Sequence, residues 1–543
     1  MLNVSAESPC SAVYQPDQLR VRLAWTDPTG SVVLTEGFWA EWSNFSGWVA
    51  RYIPTLKGQF RMDAWLVVGD ETVSRLGQPV YFTVAEVDTL PQIGVDTHHP
   101  GYFTDQHGRF FFPIGVNLAW ATGNVLQRYR VWLDNFAKAG GNLVRIWMSS
   151  WCFGIEWQDT GLGNYHNRQI QARQLDQVLS MAQARGVRVI LCLLNHGAFS
   201  LKTDSEWAQN PYNRRNGGPI EHPQDFFTDE AAIACFENRV RYIAARWSHC
   251  PALHSWEWWN EVTWVPHAPG ALLHWLQRMS HTMHRYDPYR RLQTSSWADA
   301  GPSHMWNQAG LDYAHQHDYT PNDLGARYQQ TAEIWRQRGY HRPIVPGELG
   351  ARSKQPTQDL AEQALHRRQF HDGLWAPFML GYASTALYWW WDHFLEAQQQ
   401  WHWLSPFQKA LNTWQSSGMP LRQLPPGRTV PPPAAACPED ETAMPTLGLE
   451  CWLRDNGKCL VTWLRRPGLI GGEGELIPAT TFVWHSNRAA QPKHSHAWRG
   501  HFLQTDALTP VSIEGKTRTD GGLNIHLPAF RGSAVFWLQA QGS

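Results

Sequence analysis

Short stretches in which apolar and polar residues alternate fill the first part of the chain, up to about residue 95. Residues 19–25 and 80–84 combine this period of two with the β-branched and aromatic side chains that strands favour. The Asp-Pro-Thr-Gly sequence at 27–30 is typical of a turn between two strands. No helical period of comparable length occurs here, so the pattern predicts a small β-sandwich over residues 1–97.

The pattern changes after residue 97, where short apolar runs alternate with longer amphipathic stretches. One such stretch, residues 125–136, repeats its apolar side chains at helical spacing. Eight strand–helix units over roughly 300 residues predict an α/β fold, a (β/α)8 TIM barrel that spans residues 98–418. The eight apolar runs that are candidate strands are residues 110–116, 143–147, 187–194, 253–259, 292–295, 313–315, 343–345 and 386–390.

Proline is dense over residues 419–445, which predicts a semi-rigid linker after the barrel. Cys451 and Cys459 then flank a predicted hairpin turn. A disulfide between them depends on the strand register, because a slip of one residue points the two side chains to opposite faces. The runs that predict a C-terminal β-sandwich over residues 446–543 are residues 448–453, 459–464 and 532–538.

The composition of the 543 residues excludes several classes of partner. With 46 basic against 47 acidic residues the net charge is −1, so we expect no surface for nucleic acid or for an anionic membrane. No apolar run approaches the roughly 20 residues of a membrane-spanning helix. The N-terminus lacks the basic and apolar segments of a signal peptide, which favours a cytoplasmic location and leaves secretion open. The oligomeric state is also left open.

Aromatic residues are unusually frequent, with 32 Trp, 22 Phe and 16 Tyr. Most of them are expected in hydrophobic cores. Flat rings with a polar edge also suit the faces of sugar rings, and several tryptophans lie near the ends of predicted strands. We therefore expect that some of the following line a glycan-binding cleft: Trp147, Trp151, Trp258, Trp259, Trp264, Trp297, Trp389, Trp390 and Trp391.

Two glutamates end apolar runs at positions where barrel enzymes place their chemistry. Glu261 ends the fourth predicted strand, and Glu348 ends the seventh, 87 positions further on. A single glutamate after a strand is most often a surface residue or a helix cap. Two of them on different barrel strands supply what glycoside hydrolysis requires, since one carboxyl protonates the leaving oxygen while the other attacks or activates water. The pair therefore predicts a catalytic site.

The motifs around these glutamates resemble those of a known group of enzymes. Trp-Asn-Glu at 259–261 and Gly-Glu-Leu-Gly at 347–350 resemble the retaining glycosidases of glycoside hydrolase clan A, and within it the cellulase-like family 5 type or a neighbouring family. The resemblance spans roughly residues 100–410 and includes residues 142–147 and 388–392. The N-terminal domain is similar to a β-sandwich of unknown function that precedes such barrels.

The resemblance implies hydrolysis of β-linked glycans, of β-glucan or β-mannan type, with retention of configuration and without a cofactor. It makes Glu261 the acid/base and Glu348 the nucleophile. Their carboxyl groups are then expected about 5–5.5 Å apart. The nucleophile must be ionised, whereas the acid needs a raised pKa, which the tryptophans beside Glu261 would provide. The expected partner is an oligosaccharide or polysaccharide substrate.

Three further residues are expected to support the two glutamates. Asn260 would donate a hydrogen bond to the sugar 2-hydroxyl, a bond that strengthens in the transition state. The Tyr319 hydroxyl, after the sixth predicted strand, would hydrogen-bond to Glu348 and keep it ionised. The Arg145 guanidinium would favour the same ionised state by electrostatic attraction.

The remaining substrate-side candidates follow the first, third, sixth and eighth predicted strands. On the eighth strand, alternation places Trp389 and Trp391 on one side and Trp390 on the other, and we choose Trp391 to face the cleft. The candidates are Asn117, Trp120, His196, His317 and Trp391.

Two other interpretations compete with that of a hydrolase. His315 and His317 have the spacing of the histidine pair in metal-dependent amidohydrolase barrels, but there the pair lies on the first strand with further ligands on later ones, so no metal is predicted. A carbohydrate-binding protein could share the barrel fold, although the presence of both carboxylates argues against it. The sugar, and endo or exo action, depend on loops such as 152–168 and 200–230 and stay open.

Overall fold

The protein is described here by a computed structural model that covers residues 12–541, apart from residues 16, 18, 43, 70, 88, 300, 302, 309, 320–322, 431–448, 467–472, 485–496 and 519–521. Residues 431–445 of the predicted linker therefore lie outside the described residues. Residues 419–430, which are described, contain a short 3-10 turn and one strand of the C-terminal sheet.

The chain begins with short antiparallel sheets. One sheet has the order β2-β1-β5-β6, with β7 also paired to β5, while β3 and β4 form a hairpin and β8 to β10 form a third sheet. The predicted turn at 27–30 is present, and the Asp27 carboxylate accepts hydrogen bonds from the Thr29 and Ser31 backbone amides. The strands are β1 (Arg20–Thr26), β2 (Val32–Glu36), β3 (Phe38–Trp42), β4 (Phe45–Val49), β5 (Gly58–Val68), β6 (Glu71–Arg75), β7 (Val80–Val84), β8 (Ile93–Val95), β9 (Phe103–Asp105) and β10 (Phe110–Phe111).

A series of parallel strands follows, each paired with the next in chain order except where β15 and β16 are separated by Ser295. These strands are buried along almost their whole length, as expected for parallel strands covered on both faces. They are β11 (Gly115–Asn117), β12 (Leu143–Trp147), β13 (Arg188–Asn195), β14 (Leu253–Asn260), β15 (Leu292–Thr294), β16 (Ser296–Trp297), β17 (Ala314–Tyr319) and β18 (Ile344–Gly350).

The two ends of this series meet at Tyr388, which makes parallel bridges to Val116 of β11 and to Leu349 of β18. A closed ring of parallel strands is consistent with the predicted (β/α)8 barrel. The eighth predicted strand is reduced to this single bridged position. The first predicted strand is also shorter than expected, because Phe110–Phe111 pairs with β9 and the barrel strand starts at Gly115.

Helices lie between the parallel strands, and several begin with an aspartate side chain that accepts from the first free backbone amides, as at Asp229 and Asp359. None of the helices in the described part of the chain is long and apolar enough to cross a membrane. The helices are α1 (Val125–Lys138), α2 (Gln169–Ala184), α3 (Glu230–Trp247), α4 (Pro269–Tyr286), α5 (Ser303–Gln308), α6 (Leu324–Gln337), α7 (Leu360–Leu380) and α8 (Leu404–Ser416).

The C-terminal strands form one continuous antiparallel sheet with the order β19-β20-β21-β26-β23-β24-β25-β22, instead of the two packed sheets of the predicted sandwich. The hairpin register pairs Cys451 with Leu464, so Cys451 and Cys459 are free thiols and form no disulfide. The strands are β19 (Arg428–Val430), β20 (Glu450–Asp455), β21 (Cys459–Arg465), β22 (Thr480–Trp484), β23 (Trp498–Gln504), β24 (Val511–Thr517), β25 (Leu523–Leu527) and β26 (Ser533–Ala540).

Both β-rich regions contact helices that lie between the parallel strands, through polar pairs that are partly buried in the N-terminal region and buried in the C-terminal region. In the N-terminal region, Arg51 pairs with Asp176 of α2 at 2.8 Å. In the C-terminal region, the Arg465 guanidinium lies 2.8 Å from the Asp372 carboxylate of α7, and Arg454 donates to the carbonyl oxygen of Phe378 at 2.7 Å. These contacts join each sheet to helices that surround the parallel strands.

Candidate active site

A cavity of about 820 Å³ lies at the carboxyl ends of the parallel strands. Its wall is both aromatic and acidic, which suits a ligand with apolar ring faces and many hydroxyl groups. Glu261 and Glu348 both line it. Other residues that line it include Trp120, Trp147, Trp151, His196, Asp204, Glu206, Asn260, Trp264, Tyr319 and Trp389.

Glu348 lies within strand β18, with a side chain that is only 3% exposed. Its Oε1 accepts from Arg145 Nη1 at 2.6 Å, and its Oε2 accepts from the Tyr319 hydroxyl at 2.5 Å. Burial raises the pKa of Glu348, while His317, Arg145 and the Tyr319 hydrogen bond oppose that rise. Charged and hydroxyl donors thus favour the carboxylate form of this buried group.

Glu261 directly follows strand β14 and has a left-handed backbone conformation, with φ of +48° and ψ of +54°. Its backbone amide donates to Ser296 Oγ at 3.1 Å. Its Oε2 accepts from the Trp264 indole at 3.0 Å, and its Oε1 lies 2.8 Å from His317 Nδ1. Burial raises the pKa of Glu261, as an acid that must be protonated at the start of a reaction requires.

The two carboxylates are close neighbours with one imidazole between them. One oxygen of Glu261, one oxygen of Glu348 and a ring nitrogen of His317 all lie within 4.8 Å of one another. His317 Nδ1 is 2.8 Å from Glu261 and 3.3 Å from Glu348. Burial lowers the pKa of His317 to about 3, so the ring is neutral near pH 7 and can donate from Nδ1. The ring therefore orients both carboxylates without adding a charge.

Arg145 is fully buried beneath the cavity and joins several side chains of the site. Its Nε and Nη2 bind Glu257 at 2.6 and 2.8 Å, while Nη1 binds Glu348. Nη2 also donates to Asn260 Oδ1 at 2.7 Å, and Nη1 donates to Asn117 Oδ1 at 3.2 Å. One guanidinium thus balances the charges of two buried carboxylates and also orients the side-chain amide of Asn260, next to Glu261.

Glu257 is a member of this network that the sequence analysis missed. Burial alone would raise its pKa, but Arg145 and His315 hold the pKa of Glu257 well below its usual range. The signal was available, because Glu257 is a charged residue inside the largely apolar run of β14, where a buried carboxylate needs a partner. Gly347 makes room for the same layer, since a Cβ there would lie 1.5 Å from His315 Nε2.

Asn260 and His196 form a second connected pair at the cavity wall. Asn260 Nδ2 donates to His196 Nδ1 at 2.9 Å, because the Asn260 oxygen is already engaged by Arg145. His196 Nδ1 is then an acceptor, so the ring proton lies on Nε2, which is 3.3 Å from Asp204 Oδ2. The chain Arg145, Asn260, His196 and Asp204 runs from the buried interior to solvent.

The predicted site residues fall into two groups. Asn260, His196, Tyr319 and Trp120 line the cavity with the two glutamates. Arg145 and His317 lie beneath it and contact the glutamates. The prediction that Asn117 faces the substrate is wrong. Asn117 is fully buried, and its Nδ2 donates to the carbonyl oxygens of Gly347 and Leu387, so the side chain does not reach the cavity.

The prediction that Trp391 faces the cleft is also wrong. Trp391 is buried at 2% exposure and packs edge-on against Trp120 and Trp132, whereas Trp389 lines the cavity. Strand alternation fails here because the chain leaves the sheet after Tyr388 and enters a π-helical turn at Trp391. The two tryptophans therefore do not share a face.

The cavity also holds residues to which the sequence assigned no individual role, among them Trp264 and Glu206. Trp264 belongs to the nine tryptophans of which some were expected to line a glycan cleft, and it does line the cavity. Glu206 accepts from Ser150 Oγ at 2.9 Å, and its Oε2 has no hydrogen-bond partner among the described residues. Burial raises the pKa of Glu206. Glu206 lies in a long loop without strand or helix periodicity, so the sequence carried no signal for it.

Two groups of side chains have the proximity of metal ligands: Glu257 with His315 and His317, and Glu261 with His317 and Glu348. In each group one carboxylate is bound by Arg145 at 2.6 Å. A guanidinium at that distance occupies the carboxylate lone pairs and repels a cation. The donor sets therefore fit an ion-pair network better than a metal site.

Parts of the chain are similar to known proteins. No protein-family model matches the chain. Over 172 residues it is 22% identical to mannan endo-1,4-beta-mannosidase F of Aspergillus fumigatus, covering 30% of this chain and 37% of that protein. Over 220 residues it is 26% identical to mannan endo-1,4-beta-mannosidase 3 of Oryza sativa subsp. japonica, covering 37% of this chain and 44% of that protein. The matches thus span less than half of these relatives.

Solved structures extend the likeness to the fold. A Bacteroides vulgatus protein assigned to the glycoside hydrolases superposes with a TM-score of 0.65, covering 99% of this chain and 97% of that one at 14% identity. A glycoside hydrolase family 5 protein from Bacteroides vulgatus gives a TM-score of 0.52, covering 83% and 94% at 11% identity. The comparisons confirm the predicted resemblance: the chain is similar to the cellulase-like glycoside hydrolases of clan A.

Proposed function

We propose that the protein is a retaining β-glycoside hydrolase that cleaves β-linked glycans by double displacement. The observation that carries this proposal is the approach of one Glu261 oxygen and one Glu348 oxygen to within 4.8 Å, in an aromatic cavity at the strand ends. Retaining enzymes hold their carboxyl groups about 5–5.5 Å apart, whereas inverting enzymes need about 6.5–9.5 Å to admit a water. The short separation supports direct attack by one of the two.

In the first step, a Glu348 oxygen attacks the anomeric carbon while the bond to the leaving oxygen breaks. That oxygen takes the proton of Glu261, so the sugar is left as an ester of Glu348. In the second step, Glu261 removes a proton from water, and the water oxygen attacks the same carbon. Glu348 leaves as a carboxylate, and the product keeps the β configuration.

The neighbours of each carboxylate support this division of roles. Glu348 accepts from Arg145 and from the Tyr319 hydroxyl, two donors that stabilise an ionised nucleophile. Glu261 receives no direct contact from the guanidinium, and its contacts are the Trp264 indole and a neutral imidazole. Of the two carboxylates, only Glu348 is therefore bound directly by a permanent positive charge.

For the substrate, we propose a β-mannan in preference to a β-glucan. The Aspergillus fumigatus and Oryza sativa relatives are named as mannan endo-1,4-beta-mannosidases, although the matches cover 37% and 44% of their lengths. Exposed rings at Trp151 and Trp264, with Trp120 and Trp389 deeper in the wall, offer apolar faces for successive sugar rings. A panel of β-linked polysaccharides ranks the two substrate types directly.

We propose that the chain divides as its sequence predicts, with the barrel at residues 98–418. The N-terminal sheets would form a small β-sandwich that packs on the barrel, and the residues beyond 445 a separate β-domain. The partly buried contact of Arg51 with Asp176 and the buried contact of Arg465 with Asp372 support a packing role for both β-rich regions.

The decisive experiment replaces each carboxylate and adds azide. Glu348→Ala should lower turnover of an aryl β-glycoside by about 10⁴-fold or more, and azide should restore it with an α-glycosyl azide as product. Glu261→Ala is the matched control, because attack of azide on the glycosyl–Glu348 ester gives the β-glycosyl azide. The same anomer from both variants, or a wild-type rate in Glu348→Ala, would refute the assignment.

Two further outcomes bear on the alternatives. Binding of glycans without hydrolysis, across a broad panel of polysaccharides and aryl glycosides, would favour a carbohydrate-binding protein. Turnover should survive prolonged treatment with a strong chelator, because both carboxylates and Arg145 act without a metal in the proposed steps. Loss of activity on chelation and recovery with a single metal would contradict that expectation.

A further inference from the structure

One aromatic side chain of the cavity touches the acid itself. Trp264 follows Glu261 by three residues, in the short 3-10 turn Val262–Trp264. Its indole Nε1 donates to Glu261 Oε2 at 3.0 Å, yet the residue is 45% exposed in the cavity wall. The same ring thus has a polar edge that is engaged and an apolar face that is open.

We propose that Trp264 couples recognition of the leaving-group sugar to acid catalysis, with its N–H edge orienting Glu261 and its open face receiving the sugar that departs. This inference rests on the proposed glycosidase reaction. It adds to that reaction a positioning residue for the acid and a binding subsite on the leaving-group side.

The position of the subsite follows from the chemistry of the acid. Glu261 must come within hydrogen-bond distance, about 3 Å, of the oxygen that it protonates. A ring bonded to the same carboxyl group then lies within one sugar unit of that oxygen. The faces of indole rings and pyranose rings are apolar and pack against each other, so the exposed face of Trp264 is the surface on which the departing sugar rests.

The need for an orienting contact follows from the backbone. Glu261 has left the strand and adopts a left-handed conformation, so the regular ladder of β14 no longer fixes where its side chain points. The Ser296 hydroxyl holds only its backbone amide. The carboxyl oxygens are held by His317 on one side and by Trp264 on the other.

The indole N–H can donate a hydrogen bond but cannot accept one, so this contact can shift the pKa of Glu261 in only one direction. It stabilises the lone pair on Oε2 and so favours the ionised form of Glu261, against the effect of burial, which raises the pKa. Removing the N–H should leave the acid protonated to higher pH. The other charged or titratable groups that face Glu261 are Arg145, His196, Asp204, His317, Tyr319 and Glu348.

The test compares Trp264→Phe with Trp264→Leu. The first keeps an aromatic face and loses the N–H, whereas the second loses both. In each variant, the alkaline limb of the pH profile of kcat/KM should move up by about 0.5–1 pH unit. KM for an oligosaccharide should stay near the wild-type value in Trp264→Phe and rise about fivefold in Trp264→Leu. KM for a glycosyl fluoride, which has no leaving-side sugar, should stay unchanged in both.

Trp151→Phe is the matched control. Trp151 is also 45% exposed in the cavity wall, but no hydrogen bond joins it to Glu261. Its substitution should leave the alkaline limb in place. Labelling with 5-fluorotryptophan examines the unsubstituted enzyme, because the fluorine resonance of Trp264 should titrate with Glu261 while that of Trp151 does not.

The outcomes separate this inference from the proposed function. If the wild type hydrolyses its substrate with a bell-shaped profile, and Glu261→Gln loses the alkaline limb, the reaction stands. The inference alone would then be overturned if the alkaline limb stayed in place in both Trp264 variants, or if the Trp264 fluorine resonance did not change as Glu261 titrates. A wild type without hydrolysis would instead overturn the proposed function.

Discussion

The two carboxylates of the cavity are held in contrasting ways. Glu348 lies inside a regular strand, is almost completely buried, and is bound by donors from two other parallel strands, Arg145 of β12 and Tyr319 of β17. Glu261 lies just past its strand in a left-handed conformation, and one of its contacts comes from a half-exposed tryptophan in its own loop. One side of the site is fixed by the barrel, and the other depends on a loop.

The contrast matches what each group has to do in the proposed reaction. A nucleophile keeps one protonation state until it attacks, so a rigid setting with a permanent charge nearby suits it. An acid/base gives up a proton and takes one back in every cycle. A setting of neutral donors, close to solvent and to the substrate, allows both states of Glu261 at similar cost. The following predictions test that contrast.

The largest effect is expected from Arg145→Met, on the rigid side of the site. The variant leaves Glu257 and Glu348 buried without their guanidinium, so the free energy of unfolding should fall by about 3–5 kcal/mol. Urea unfolding measures this loss. Arg214→Met, which breaks an exposed pair with Glu221, should change the same free energy by less than about 1 kcal/mol. Equal losses in the two variants would remove the contrast between buried and exposed pairs.

Glu261→Gln should have the next largest effect, and one that depends on the substrate. With a poor leaving group, kcat/KM should fall by about 10³-fold, because the leaving oxygen receives no proton. With 2,4-dinitrophenolate as the leaving group, the first step needs no acid and should proceed at close to the wild-type rate. A uniform loss across leaving groups, measured as a Brønsted series, would contradict the role of Glu261 as acid.

Tyr319→Phe should shift the pH profile on the side of the nucleophile. The Tyr319 hydroxyl donates to ionised Glu348 and lowers its pKa, so removing the hydroxyl raises that pKa. Because the reaction needs ionised Glu348, the acidic limb of kcat/KM should move up by about one pH unit, while the alkaline limb stays. Tyr340→Phe, whose hydroxyl donates to the Pro343 carbonyl oxygen, should move neither limb. A shift of the alkaline limb in Tyr319→Phe would mean that the roles are reversed.

The rigid side of the site was also the more predictable from sequence. Glu348, Arg145 and Tyr319 occupy strands or strand ends, where short apolar runs and a period of two mark each position. Glu257, a charged residue inside an apolar run, also carried a signal. The pairing of Arg145 with Glu257 was not predictable in the same way, because alternation names the face of a side chain but not its partner across the barrel.

The errors occur where the chain leaves regular structure. Alternation put Trp391 beside Trp389, but the strand ends at Tyr388, and a helical turn redirects Trp391 into the core. Asn117 is at a strand end, yet its amide is used to tie Gly347 and Leu387 to the first strand. Trp264 and Glu206 lie in loops whose course depends on tertiary contacts, so no local period could have assigned them.

The smallest predicted effect comes from the solvent end of the network, at Asp204. Its carboxylate, 82% exposed in the side chain, raises the pKa of Glu261 by charge repulsion. Asp204→Asn should therefore move the alkaline limb of kcat/KM down by about 0.2–0.4 pH unit, opposite in sign to the Trp264 variants. Since an exposed charge is screened by salt, the shift should shrink on raising ionic strength from about 0.01 to 1 M. An upward shift of the alkaline limb, or a shift that does not depend on ionic strength, would mean that Asp204 acts by orienting His196 and not through its charge.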